Sequence, residues 1–175
     1  AVKEPIFRPL LYANTAAFTA GAAQKDIPYV MNLTMLSMFG EFGGSGVTIG
    51  LVIAIFIFSR REDNRTIAGI SVVPGLFNIN ETMTFGLPLV LNPILDIPFI
   101  FAPVITLVVG YLLVTSGFCP KIVLEVPWTM PPVFFGFICT GANPMGALSQ
   151  LIVIALSVVI YTPFLIAYEK YQAKQ

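Results

Sequence analysis

The chain has 175 residues and balances nine lysines and arginines against nine aspartates and glutamates, so it fits one domain, and its scattered basic residues exclude a nucleic-acid groove. Hydrophobic residues supply 57% and charged residues only 10%, with a mean hydropathy of +0.87, which excludes an ordinary soluble domain with its roughly 25% charge. Histidine is absent, which removes Ser-His-Asp and Cys-His catalysis and histidine-ligated zinc from this chain's own repertoire. Cys119 and Cys139 lie too far apart for a CxxC pair, so neither a metal nor a cofactor is expected.

The charges are also segregated. None occurs between Glu41 and Arg60, between Asp96 and Lys121, or between Glu125 and Glu169. Runs of this length match the roughly 20 apolar residues that cross a bilayer, and a soluble helical core would need a charged face that they lack. The expected class is all-α, a polytopic membrane protein.

In chain order, residues 1–26 are the most polar part, with Lys3, Glu4, Arg8, Lys25 and Asp26, and read as a loop and short helices at a membrane surface. The uncharged run 27–40 is short. Gly40, Gly43, Gly44 and Gly46 follow it and predict a flexible or closely packed break, with Glu41 beside them as a membrane-edge residue. Residues 42–59 read as a transmembrane helix, stopped by the RREDNR run of residues 60–65.

Residues 66–80 then offer 15 uncharged positions, about 22 Å even as a full helix, and Pro74-Gly75 interrupts them sooner. Residues 82–95 are equally short, broken at Gly86 and Pro88 and closed by Asn92-Pro93. Two half-length segments meeting at a polar tip describe a re-entrant hairpin, which is tolerated at membrane depth only when buried in protein or lining a cavity. Transporters place substrate at such broken helices. Residues 97–116 form a clean span. Residues 126–143, broken by Pro127, Pro131, Pro132, Gly136 and Gly141, resemble a second hairpin or an irregular loop, and 144–168 form the last span. If the first hairpin returns to its starting side, Arg60, Arg61 and Arg65 share a side with Lys170 and Lys174, opposite Lys121. The positive-inside rule then puts the arginine run and the C-terminus in the cytoplasm.

The hairpin tip carries Asn78, Asn80 and Glu81. A carboxylate and two amides at membrane depth cost several kcal/mol unless they face a cavity, a partner or a substrate. Glu81 is therefore a site candidate, the alternative being a helix cap or an ion pair. Asn78 and Asn80 are candidates that could equally satisfy broken-helix backbone. Trp128, the only tryptophan, suits an apolar ligand face or an interfacial belt. Asn143 in TGANP could reach the same site from the second hairpin, or serve a turn.

The stretches GLFNINETMTFGLPLVLNPILDIPFI and VPWTMPPVFFGFICTGANPMGALSQ resemble the C-terminal part of the membrane-embedded IIC component of the lactose/cellobiose (diacetylchitobiose) branch of the sugar phosphotransferase system. The resemblance runs from about Asn14 to the last helix. It implies ten transmembrane helices in the whole permease, two re-entrant hairpins, and a homodimer formed through an N-terminal half. It implies a disaccharide site in which the glutamate of the NINE motif, here Glu81 flanked by Asn78 and Asn80, binds sugar hydroxyls near the carbon that receives phosphate. The family's histidine would lie just upstream of Ala1, and Thr82 stands where the family usually has proline. The chain reads as a C-terminal substrate-binding fragment spanning residues 1–175, beginning without an initiator methionine.

The function expected from the resemblance is a sugar-specific permease of a bacterial cell membrane. It binds a disaccharide that a phosphorylated cytoplasmic IIB protein then phosphorylates, with the isolated chain inactive. Two alternatives share the same sequence features: a secondary sugar transporter coupling to protons through Glu81, and a non-catalytic membrane domain.

Overall fold

The computed structural model describes residues 2–90 and 92–173, which form eight α-helices with no β-strand among them. The first, α1 (Lys3–Thr19), is a single 17-residue helix where composition predicts a loop and short helices. Tertiary bonds account for the difference. The buried Asn14 amide donates to the carbonyls of Tyr29 at 2.7 Å and Ile122 at 2.9 Å and accepts the Tyr29 N–H. A polar residue that would weaken an isolated helix here pins it to two other segments.

Of the transmembrane helix expected over 42–59, only residues 49–58 are α-helix, and they meet the preceding helical stretch Leu33–Val47 at a bend of 61°. α2 (Leu33–Gly40) starts at Asn32, whose side chain accepts the Met35 N–H, and α3 (Ile49–Phe58) has only ten residues. Between them Gly43, Gly44 and Gly46 take φ of 70°, 87° and 81°. Side chains avoid that left-handed region, so the apolar run cannot stay one helix. Tyr161 holds the loop by donating its hydroxyl to the Gly46 carbonyl at 2.6 Å.

α4 (Glu62–Leu76) and α5 (Glu81–Gly86) pack together about a turn at residues 77–80. α6 (Asp96–Thr115) and α8 (Pro144–Gln172) are long and apolar enough to cross a membrane. Asn92 leads into α6 by accepting the Ile94 and Leu95 N–H groups, and Asn143 caps α8. Each helix buries a stripe of small or polar residues, Ala102, Thr106 and Gly110 on α6 and Gly146, Ser149, Val153 and Ser157 on α8. The opposite faces expose Ile100, Phe101, Val104, Val108, Leu148 and Val159. Close packing through small residues with large apolar side chains outward is the pattern of helices in lipid.

α7 (Phe134–Cys139) is the only helix in the second proline-rich stretch, so the two limbs expected of a second hairpin are unequal. It is held by Gln150 of α8, which is 1% exposed. The Gln150 Oε1 accepts the N–H groups of Val133 at 2.7 Å and Gly136 at 2.8 Å, and its Nε2 donates to the Met38 carbonyl at 3.1 Å.

The ends of α8 separate the charged segments. Near its C-terminus Glu169 accepts hydrogen bonds from Ser59 and Asn64, so the arginine run shares that end with Lys170. Lys121 packs on residues 24–27, next to a segment joined to Cys139 and thus to the start of α8. Lys174, counted with the first group, lies outside the described residues.

Candidate functional site

A cleft of about 810 Å³ opens between α1, α2, the glycine loop, the α4–α5 turn and the segment 125–128. Asn78, Asn80, Glu81 and Trp128 all line it, although 50 residues separate Asn78 from Trp128. The volume lies in the range of about 300–1,000 Å³ typical of small-ligand pockets.

Glu81 stands in the first turn of α5 with an exposed side chain, and among the described residues it has no ion-pair partner. Its oxygens are free to accept hydrogen bonds from a ligand. Asn80 lines the cleft and donates to the Ser45 carbonyl at 2.6 Å. A Cβ on Gly44 would lie 2.6 Å from Asn80 Cγ, so the glycine there lets the turn approach the loop. Asn78 is occupied differently. Its Oδ1 accepts the Gly43 N–H at 2.6 Å, and its Nδ2 donates to the carbonyls of Trp128 and of Met130, the latter at 3.2 Å.

Trp128 is 61% exposed and lines the cleft. Asn143, expected to reach the site, lies outside the cleft and accepts the Met145 N–H at 2.9 Å. With Pro144 following, this is a helix start, the role that Asn-Pro chemistry favours.

Several lining residues escape sequence reasoning. Glu41, read as a membrane-edge residue, pairs with Lys3 and accepts the Ser37 hydroxyl at 2.8 Å. Arg8 bridges Glu125 at 2.7 Å and Glu4 at 3.1 Å. The Arg8 pKa is raised, first by the Tyr12 hydroxyl and then by Glu125 and Glu4, so it stays a cation. A signal existed for Glu41: Thr34, Ser37 and Glu41 fall at i, i+3 and i+7, one polar stripe on an apolar helix. No local signal joins Arg8 to Glu125, 117 positions away.

The cleft sets four carboxylates, Glu4, Glu41, Glu81 and Glu125, against two cations. It offers one unpaired carboxylate, an amide and an aromatic side chain, while its two cations, Lys3 and Arg8, are already matched by carboxylates. Among the described residues no cluster of metal-ligating side chains occurs. Cys119 is buried, and burial pushes its thiol up to about 11, away from nucleophilic use.

The chain is 37% identical to the lichenan permease IIC component of Bacillus subtilis (strain 168), over 99% of this chain and 38% of that protein. It is 42% identical to the cellobiose-specific EIIC component of the PTS of Lactococcus lactis subsp. lactis (strain IL1403), over 75% and 27% respectively. The crystal structure of the transporter ChbC, the IIC component from the N,N'-diacetylchitobiose-specific phosphotransferase system, superposes with a TM-score of 0.91 at 37% identity, covering 97% of this chain and 39% of that one. The chain thus spans under two fifths of the length of these relatives. The model of the family Phosphotransferase system, EIIC, matches residues 1–103, more than half of the sequence, and the chain belongs to that family.

Proposed function

We propose that this chain is the substrate-binding, C-terminal part of a sugar-specific EIIC permease that binds a disaccharide within the membrane and presents it for phosphorylation by a cytoplasmic phosphorylated IIB protein. The observation that carries this reading is the convergence of Glu81, Asn80 and Trp128 on one cleft of about 810 Å³. The names of relatives specific for cellobiose, lactose and N,N'-diacetylchitobiose support the substrate class.

In the proposed reaction a sugar hydroxyl oxygen forms the new O–P bond as the S–P bond of the IIB phosphocysteine breaks, and the hydroxyl proton passes to a base. Glu81 accepts hydrogen bonds from the sugar and fixes the hydroxyl's direction. The upstream histidine that the resemblance implies is tunable near neutral pH and suits the base. Trp128 covers an apolar ring face. The intact permease in vesicles, supplied with phosphorylated IIB and labelled cellobiose, lactose or diacetylchitobiose, should deliver sugar phosphate on the IIB side. Recovery of only unmodified sugar, driven by a proton gradient, would replace this reading with secondary transport.

The α4–α5 pair is proposed to be a re-entrant hairpin. In support, its tip meets the glycine loop that Tyr161 holds well inside α8, not at either end. The bilayer is a proposed partner, with a multi-pass location in a bacterial cell membrane and a cytoplasmic C-terminus, following the positive-inside rule for Arg60, Arg61, Arg65 and Lys170. The homodimer is assigned to the N-terminal half of the intact permease, as the resemblance implies. Cysteines at the exposed positions Asp63 and Ala173 should react with an impermeant label from the cytoplasmic side, and one at Lys25 from the other. Labelling of Asp63 and Ala173 from different sides would sink the hairpin assignment.

A further inference from the structure

We propose that Asn78 is a positioning residue that sets the place of Trp128 in the cleft, and is not itself a sugar ligand. The inference rests on the reading of the cleft as a disaccharide site. Asn78 stands at the α4–α5 tip with φ of 62°, a left-handed conformation that asparagine tolerates and most side chains do not. From there its amide joins two other segments: the glycine loop through the Gly43 N–H, and the Trp128 segment through the carbonyls of Trp128 and Met130. Both amide hydrogens and the oxygen thus have backbone partners.

The need for such a link follows from the composition of the segment it holds. Pro127, Pro131 and Pro132 have no N–H to donate, and within residues 127–132 the chain makes one internal backbone bond, Met130 N–H to Pro127 O at 3.0 Å. The carbonyls of Trp128 and Met130 therefore take their donors from elsewhere, and Asn78 supplies them. On the far side Arg8 holds Glu125, three residues before the tryptophan. Trp128 itself is mostly exposed, so packing does little to fix it, and the backbone ties set the place from which its ring projects. Any displacement of the tip carrying Glu81 is transmitted to the aromatic wall through Asn78.

A double-mutant cycle on the intact permease tests this, with cellobiose, lactose and diacetylchitobiose as the probes. Asn78→Asp keeps the acceptor for Gly43 and tolerates the left-handed backbone, but sets a carboxylate against two carbonyls. Its expected effect is a loss of about tenfold in affinity when Trp128 is present, shrinking to less than about twofold in a Trp128→Ala background. Asn78→Gly, which adopts the same φ without strain, removes only the amide and should behave alike if the aspartate variant fails to fold. The 19F resonance of fluorotryptophan at position 128, assigned by its absence in Trp128→Phe, should shift or broaden in sugar-free Asn78→Asp and Asn78→Gly. Additive losses across the cycle, an unmoved resonance, or an unchanged affinity would overturn the positioning role. If Trp128→Ala alone leaves affinity unaltered, the reading of Trp128 as a sugar contact fails, and the resonance still decides whether Asn78 positions it.

Discussion

Glu81→Gln is expected to weaken disaccharide binding to the intact permease by roughly ten- to a hundredfold. Hydrogen bonds to a charged acceptor contribute about 1.5–3 kcal/mol each, and glutamine retains the shape of glutamate while losing the charge that strengthens them. The geometry supports a large effect because Glu81 faces the cleft without an ion-pair partner among the described residues. Its charge is not committed to holding the fold. The variant should therefore fold normally. The measurement is equilibrium binding at fixed pH with purified wild-type and variant permease. Equal affinities would refute the sugar-site assignment, and would leave Glu81 to a role in starting α5 or in proton coupling.

Gln150→Leu is expected to be the more damaging change for stability, by about 2–4 kcal/mol. Leucine matches the volume but cannot replace the bonds to the Val133 and Gly136 N–H groups and the Met38 carbonyl. A buried backbone group left without a partner costs about 1–3 kcal/mol, and hydrogen bonds between membrane helices lie toward the low side of that range. Val133 adds to the sensitivity, since φ of 77° is unfavourable for a β-branched residue and persists only while neighbouring bonds enforce it. Gln150→Glu retains the acceptor for the two N–H groups but loses the donor to Met38, and should fall between wild type and leucine. Denaturant or thermal unfolding in detergent reads the effect directly. A loss under about 0.5 kcal/mol for Gln150→Leu would show that α7 is held by apolar packing instead.

The sequence by itself determined the all-helical class, the membrane-compatible spans α6 and α8, and the polar tip with Glu81. Each is written locally, in the length of an uncharged run, in proline and glycine at segment ends, or in polar residues set among apolar ones. The RREDNR run and Lys170 were likewise legible as one charge group, and Glu169 bonding to Ser59 and Asn64 puts them at one end of α8. The family was readable from two long motifs.

Tertiary structure alone decided the rest. The glycines that predict a break do take left-handed backbone, but how far the break cuts into the apolar run 42–59 was not written there, and only the fold brings the Tyr161 hydroxyl, 115 residues away, to the loop. Residues 1–26 look like polar surface chain, yet Asn14 finds backbone partners near Tyr29 and Ile122 and α1 becomes a wall of the cleft. Asn78, Asn80 and Asn143 are chemically the same side chain in similar turns. One ties the hairpin tip to two other segments, one ties it to the glycine loop at Ser45, and one starts a helix. Which of these an asparagine does depends on the backbone groups brought within about 3 Å of it, and long-range packing sets that distance.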